Sequence, residues 1–259
     1  MLKIHSFRFT AALKAAGIHL LVSIGIALCC AAFIFSVWYP APFDQLANGR
    51  SLILLIITVD VVCGPLLTSI VYNPLKPKAE LRRDLVLIAL LQLGALGYGF
   101  YSAMQARPVW LAFEGDRFRV VSIPDIDLEN LSDAPTALRD LSFTGPKLLG
   151  VRLIDGNNPA FAESVVLSAQ GFHPAFRPSR WLPYAVQANK VVLVAKPLSL
   201  LSMHDAKDKN ILNKAVRISG VEIAKMGYLP LATNDFKNWA VVVNLDTAEP
   251  VFYLPIDAW

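Results

Sequence analysis

The stretch from Leu52 to Tyr72 places the strongest constraint on what this chain can fold into. It is apolar over about 20 residues, the length that a helix needs to cross a bilayer core, and its one acidic or basic residue is Asp60, near the middle. A carboxyl group at that depth must be paired or hydrogen-bonded, because burying it alone is costly. The stretch predicts a transmembrane helix, and the Gly64-Pro65 pair inside it predicts a kink.

Two further apolar runs have the same character, so the sequence predicts a three-helix transmembrane region over residues 1–107, with spans at about 17–38, 52–72 and 85–104. The basic start of the chain also suits a signal peptide. The first run is too long for a typical signal core, however. It also ends in Val37-Trp38-Tyr39-Pro40, which is typical of a membrane-interface belt and not of a cleavage site. We therefore expect the first helix to be retained.

The lysines and arginines of the short flanking segments predict the orientation of the chain. Basic residues accumulate on the cytoplasmic side of a membrane. Three precede the first helix and four lie between the second and third, against Arg50 alone in the first loop. We expect the N-terminus and the second loop on the cytoplasmic side and everything after Met104 on the opposite side. The residues of the cytoplasmic basic loop are Lys76, Lys78, Arg82 and Arg83.

Residues 108–259 predict an α+β domain with a mainly antiparallel sheet. Val109–Phe113 and Arg117–Val121 flank a turn at Glu114-Gly115-Asp116, the pattern of a β-hairpin. The segments 164–167 and 191–195 are ambiguous between helix and strand. We expect helices over 136–141 and 208–218 and strands over 228–232, 239–245 and 251–254.

Charge and motifs exclude several functions. Up to Arg107 the chain has nine lysines and arginines against four acids, whereas the remainder has fifteen against sixteen, so the C-terminal domain offers no basic face for nucleic acid. The three cysteines all lie in apolar runs and predict no disulfide. The C-terminal domain has two histidines, His173 and His204, and no catalytic or phosphate-binding motif, which predicts a non-enzyme without metal or cofactor. Its aromatic segments 172–176 and 181–184 suit either a binding surface or the core.

Helix three has Ala95, Gly99 and Ala103 at four-residue spacing, with Gly94 and Gly97 nearby. Small residues at that spacing let helices approach closely. They predict packing within the bundle or docking of a partner helix. Counting depth along the helices places Asp60 level with Tyr98, so we expect an Asp60–Tyr98 hydrogen bond. A contact of Asp60 with a partner helix is the alternative, while three helices with one acid make a poor ion pathway.

The order of several sequence pieces resembles type IV pilin accessory proteins of the TfpX/TfpZ kind. The pieces are RFTAALKAAGIHLLVSIGIAL, WYPAPF, VDVVCGPLLTSIVYNPLKPKAELRRDL, LQLGALGYGFYSAMQARPV and DRFRVV. The resemblance is specific from about Arg8 to Val121 and weaker beyond. It implies an inner-membrane protein that helps assemble type IV pili and so supports piliation and twitching, without catalytic activity. The outward-facing C-terminal domain of such a protein lies in the periplasm.

The resemblance implies a type IV pilin, the major pilin above all, as partner, together with other pilus assembly proteins and the lipid bilayer. We expect a chaperone-like helper that holds the apolar helix of a pilin and its globular head at once, with Asp60, Ala95 and Gly99 towards the pilin helix. The alternative is a membrane-anchored periplasmic ligand-binding sensor or transport subunit. A deep polar pocket favours that alternative, and an apolar groove favours protein binding.

Overall fold

Long apolar helices build the first of the two units into which the chain divides, Met1–Ala106. The structure is a computed structural model that describes residues 2–201, 206–233 and 239–259. The helices are α1 Leu2–Phe33, α2 Phe43–Leu46, α3 Gly49–Val71 and α4 Lys78–Gln105. Helix α1 continues as a π-helical turn over Ile34–Trp38. Within the described residues three helical segments are long and apolar enough to cross a membrane, as predicted: Phe7–Trp38, α3 and α4.

Helices α1 and α4 extend beyond the apolar runs from which they are predicted. Helix α1 begins at Leu2 and α4 begins at Lys78, because the Lys, Arg, Ala, Leu and Glu residues next to the apolar runs are themselves good helix formers. Helix α3 also continues through Pro65, although proline removes one intrahelical hydrogen bond. Gly64-Pro65 therefore lies inside one continuous helix.

Helix α3 packs against both α1 and α4. The buried face of α1 is formed largely by small residues in pairs four positions apart, which lets the two helix backbones approach closely. Past the end of α1, Trp38 and Tyr39 are buried with Ile53 and Ala103 in an apolar cluster. The small buried residues of α1 are Ala12, Ala16, Ser23 and Ala27.

The second unit, Arg107–Trp259, is built on one sheet. Within the described residues the sheet has eight strands in the order β4-β3-β1-β2-β6-β7-β8, with β5 paired to β6. The pairs β1–β3 and β2–β6 are parallel and the other five are antiparallel, so the predicted α+β class is confirmed. The strands are β1 Pro108–Phe113, β2 Phe118–Ser122, β3 Lys147–Val151, β4 Trp181–Pro183, β5 Lys196–Pro197, β6 Met226–Ala232, β7 Trp239–Asn244 and β8 Pro250–Leu254.

The clearest predicted elements of this unit are confirmed. Strands β1 and β2 form the hairpin, and β6, β7 and β8 are the three predicted strands of the tail. The expected helix over 136–141 is only a single 3-10 turn, Thr136–Leu138, which buries Leu138. The ambiguous segments are helical. The helices of this unit are α5 Phe161–Ala169, α6 Ala188–Val194 and α7 Ala206–Ser219.

Two apolar clusters hold this unit together. One surrounds Trp110 and Trp181, whose rings meet edge to face at 5.6 Å. The other packs the apolar side of α7, including Leu212, against β6, β7 and β8. The hairpin end of β1 and β2 and the exposed helix α5 lie outside these clusters, where they border the cleft described below.

Candidate functional site

Asp60 lies in the centre of α3 and is only 7% exposed. The side-chain amide of Gln92 in α4 binds it: Nε2 lies 3.2 Å from Asp60 Oδ1 and 3.0 Å from the backbone oxygen of Asp60. One amide therefore joins the central turns of two apolar helices. This arrangement supplies the hydrogen bond that a carboxyl group needs in a low-dielectric environment.

Gly64, one turn beyond Asp60, makes room for that amide. A Cβ atom at this position would lie 2.0 Å from Gln92 Nε2 and 2.5 Å from Gln92 Cδ, far inside van der Waals contact. Only glycine leaves the space that the Gln92 side chain occupies. The Gly64-Pro65 pair thus has a definite role here, since its glycine seats the hydrogen-bond partner of Asp60.

The predicted Asp60–Tyr98 hydrogen bond is wrong. Tyr98 is 74% exposed, and the hydrogen bond to the Asp60 carboxyl group comes from Gln92, six residues earlier in α4. The depth count began at Leu85, the first apolar residue, whereas α4 begins at Lys78. Starting there places Gln92 about 21 Å and Tyr98 about 30 Å along the helix, at about 1.5 Å per residue, so Gln92 is much nearer the depth of Asp60.

The small residues of α4 divide into two groups. Gly99 is buried, and a Cβ there would meet Cγ2 of Ile56 at 2.6 Å; Ala103 is completely buried as well. By contrast, Gly94 and Ala95 are exposed, and a Cβ on Gly94 would meet nothing within 4 Å. The expectation that Asp60 and Gly99 face a partner helix is therefore wrong, because both are buried between α3 and α4. Gly94 and Ala95 face outwards from the bundle.

The tight small-residue interface on α1 was missed in the sequence. Ala12 and Ala16, and then Ser23 and Ala27, repeat the four-residue spacing that had been noted only in helix three. Close to this face, His19 Nδ1 and Thr68 Oγ1 are 2.6 Å apart and join α1 to α3. The signal was present in the sequence as paired small residues within an apolar run.

The end of the bundle near Trp38 has its own polar contacts. The Tyr39 hydroxyl donates to the Ala103 backbone oxygen at 3.0 Å, which joins the end of the first helical segment to the last turn of α4. Arg50 binds Asp44 through Nε at 3.0 Å and Nη2 at 2.7 Å. These contacts fix the short connection between α1 and α3.

The predicted basic loop is partly paired. Lys76 Nζ lies 2.8 Å from Asp84 and 3.6 Å from Glu80, and the hydrogen bond that Lys76 donates to Asp84 raises the pKa of Lys76. The other three basic residues are exposed at the start of α4, where they can meet lipid head groups or a protein. These three are Lys78, Arg82 and Arg83.

A cleft of about 740 Å³ opens in the second unit, at the turn of the β1–β2 hairpin. On one side lie Glu114 and Arg119, which form a buried ion pair at 2.7 Å. On the other side lies α5, which presents Phe161 and Val165, 41% and 51% exposed, to the cleft. The cleft therefore combines buried charge with an apolar wall.

The charges around the cleft influence one another. Arg117 binds Asp116 through two hydrogen bonds of 2.8 and 2.9 Å, which lower the pKa of Asp116 and raise that of Arg117. Burial, followed by the positive charge of Arg119, lowers the pKa of His173. His173 is therefore mainly neutral near pH 7, and the fixed positive charge of the cleft comes from lysine and arginine.

The aromatic segments proposed as surface or core belong mainly to the core. Phe176 and Trp181 are buried, and Trp181 Nε1 donates to the Ala175 backbone oxygen at 2.8 Å. Phe172 is the exception, at 60% exposed. His204, the second histidine considered for chemistry, lies outside the described residues.

Comparison with known proteins identifies relatives along most of the chain. The family model of the Fimbrial assembly protein FimB matches residues 7–48. The fimbrial assembly protein of serogroup I from Dichelobacter nodosus is 38% identical over 240 residues, which cover 92% of this chain and 92% of that protein. The serogroup E1 protein of the same organism is 38% identical over 238 residues with the same coverage.

The chain belongs to the fimbrial assembly protein family. A further member, from serogroups C1 and C2, is 45% identical over 127 residues, which cover 49% of this chain and 97% of that protein. The resemblance to type IV pilin accessory proteins is therefore confirmed at the level of a pilus assembly family. No solved structure matches the chain.

Proposed function

We propose that this protein assists type IV pilus biogenesis at the bacterial inner membrane by binding pilin before assembly. Its family membership, over 92% of the chain, is the observation that carries the proposal. The fold agrees with it, since three helices of membrane-spanning length are followed by a separate α+β unit. A pilin has the same two parts, an apolar helix and a globular head.

In this proposal the pilin helix contacts the outward face of α4 at Gly94 and Ala95. Both residues are exposed, and the absence of a large side chain lets a second helix approach closely in lipid. The N-terminus and the basic loop are cytoplasmic, and the second unit is periplasmic near the pilin head. Two weak contacts made by the same chain strengthen each other through their effective concentration.

Site-specific photocrosslinking in pilin-expressing cells tests this contact. A photoreactive amino acid at Ala95 should capture the pilin, whereas the same group at Ala103, which is fully buried in the same helix, should capture only the protein's own helices. Both positions are alanines in α4, so the pair differs mainly in exposure. Failure to recover pilin from position 95 would contradict the proposed contact.

The rival function, a ligand-binding sensor or transport subunit, calls for a deep polar pocket. The cleft of the second unit opens to solvent and combines charged residues with an apolar wall on α5. The exposed apolar wall supports binding of a protein segment over binding of a small polar ligand.

A further inference from the structure

The buried guanidinium of Arg119 is the central feature of the cleft in the second unit. Arg119 is 7% exposed and lies in strand β2 between completely or almost completely buried apolar neighbours. Its Nε donates to Glu114 Oε2 at 2.7 Å, and its guanidinium carbon lies 5.8 Å from the centre of the Phe176 ring. A charged side chain held this firmly in a strand has an orientation that the fold determines.

Glu114 fixes the guanidinium from one side only. Its second oxygen, Oε1, accepts the backbone N–H of Ala175 at 3.0 Å, so both carboxylate oxygens are occupied. Within residues 2–201, 206–233 and 239–259, the hydrogen bond of Arg119 is made through Nε. Arg119 itself lines the cleft, and a guanidinium bound through Nε keeps two terminal nitrogens, which form the fork that binds a carboxylate in bidentate fashion.

The fixed charges lining the cleft favour an anion. Glu114 and Asp116 are each paired with an arginine, Arg119 and Arg117. Lys190 also lines the cleft and adds one positive charge beyond these two pairs. A carboxylate that enters the cleft can therefore bind Arg119 and Lys190 without displacing an existing ion pair.

Helix α5 supplies the apolar part of the site. Phe161, Val165 and Ala169 follow one another at four-residue intervals and so share the face of α5 that lines the cleft. Leu153 adds to this wall from the loop after β3 and is 42% exposed. Ser164 and Ser168 lie in the same lining; the Ser168 hydroxyl donates to the Ser164 backbone oxygen at 2.8 Å, and its oxygen can still accept an amide N–H.

We propose that this cleft binds a short peptide segment of a partner protein in which an aliphatic or aromatic residue carries or adjoins a free carboxylate. The carboxylate binds Arg119 and Lys190, and the apolar side chain packs on α5. The backbone N–H groups of a peptide can donate to the serine oxygens of the lining, which a plain acyl anion cannot do, so a peptide fits the lining better. The volume of about 740 Å³ lies within the range of about 300–1,000 Å³ that suits drug-sized ligands, a size that a tripeptide reaches. The proposal depends neither on pilin as the partner nor on the α4 contact.

Fluorescence anisotropy with the purified full-length protein in detergent tests this site. The probe is a fluorescein-labelled peptide, Ser-Gly-Leu-Phe, with a free C-terminal carboxylate, and the matched probe is the same peptide as its C-terminal amide. We expect the amide to bind roughly ten- to a hundredfold more weakly, because a hydrogen-bonded charged group is worth about 1.5–3 kcal/mol. Equal binding of the two probes, or binding of neither, would overturn the proposal.

Two matched pairs of variants locate the binding. Val165→Ser should weaken binding severalfold while Val166→Ser, at an exposed neighbour that does not line the cleft, should not. Lys190→Ala should weaken binding while Lys214→Ala, an exposed lysine of α7, should not. Each of the four positions is at the surface, so folding should be retained. If each variant behaves like its control, the peptide binds elsewhere, and if hexanoate displaces the peptide at equal concentration, the site binds acyl anions instead.

Discussion

Replacing Gly64 by alanine tests how helices α3 and α4 are held together. The new methyl group would lie 2.0 Å from Gln92 Nε2, so the amide must leave its place. Its hydrogen bonds to the carboxyl oxygen and the backbone oxygen of Asp60, at 3.2 and 3.0 Å, are then lost. A carboxyl group buried between two apolar helices loses its partner.

The expected change in the free energy of unfolding combines the loss of two hydrogen bonds with the higher helix propensity of alanine. Hydrogen bonds between membrane helices are worth about 0.6 kcal/mol on average and about 1.7 kcal/mol at most, so losing two costs about 1–3 kcal/mol. Alanine in a helix interior gains about 1 kcal/mol over glycine. Gly25→Ala should gain the helix propensity of alanine without losing a hydrogen bond, because a Cβ there meets nothing within 4 Å. The free energies of unfolding of the two variants should therefore differ by about 1–3 kcal/mol, with Gly64→Ala the less stable.

Unfolding of the full-length protein in mixed micelles, followed by tryptophan fluorescence, measures this difference. A second comparison isolates the cause: in a Gln92→Ala background the side chain that clashes is absent, so Gly64→Ala should no longer destabilise the protein. Equal effects of Gly64→Ala and Gly25→Ala would refute this role of Gly64. So would a loss of stability on Gly64→Ala that is as large without the Gln92 side chain as with it.

Three further predictions concern single residues. Asp60→Asn should retain near-normal stability in the same assay, because its amide oxygen can still accept from Gln92, whereas Asp60→Leu should lose about 1 kcal/mol or more; equal losses would contradict this role. The pKa of His173 is lowered below its ordinary value of 6.5, so the unfolded chain takes up a proton first and stability should fall as pH drops through and below 6.5. His173→Gln should reduce that fall in pH-dependent thermal unfolding, and an unchanged pH profile would count against it. Gly115→Ala should destabilise the second unit by at least 1 kcal/mol in denaturant unfolding, because φ is +89° and the new Cβ would lie 2.5 Å from Leu153 Cδ1; wild-type stability would show that the turn adapts.

In the first unit, the pattern of apolar residues predicts the helices but not which residue pairs with Asp60. Length and hydropathy alone were enough to predict three spanning helices, and the isolated Asp60 was enough to predict a buried polar contact. The partner of that contact depended on where α4 begins, and helix formation continues from the apolar run into the charged flank at Lys78. A depth count made from the apolar edge therefore selected Tyr98 in place of Gln92.

In the second unit, too, the sequence pattern predicts some features and misses others. Alternating β-rich segments with turn residues were sufficient for the hairpin and for strands β6, β7 and β8. The cleft was not predicted, because it joins a hairpin turn to a helix and a loop that are distant in sequence. One signal was available: Arg119 lies in the middle of an apolar strand and so required a partner, and Glu114 was the acid across the hairpin turn.

We propose that three lipid-spanning helices anchor this chain with its second unit on the periplasmic side of the inner membrane. Reporter fusions after Trp259 test this orientation most directly, since alkaline phosphatase is active only outside the cytosol and green fluorescent protein is fluorescent mainly inside it. An active phosphatase fusion and a dark fluorescent fusion are expected. A fluorescent fusion with an inactive phosphatase would contradict the proposed orientation.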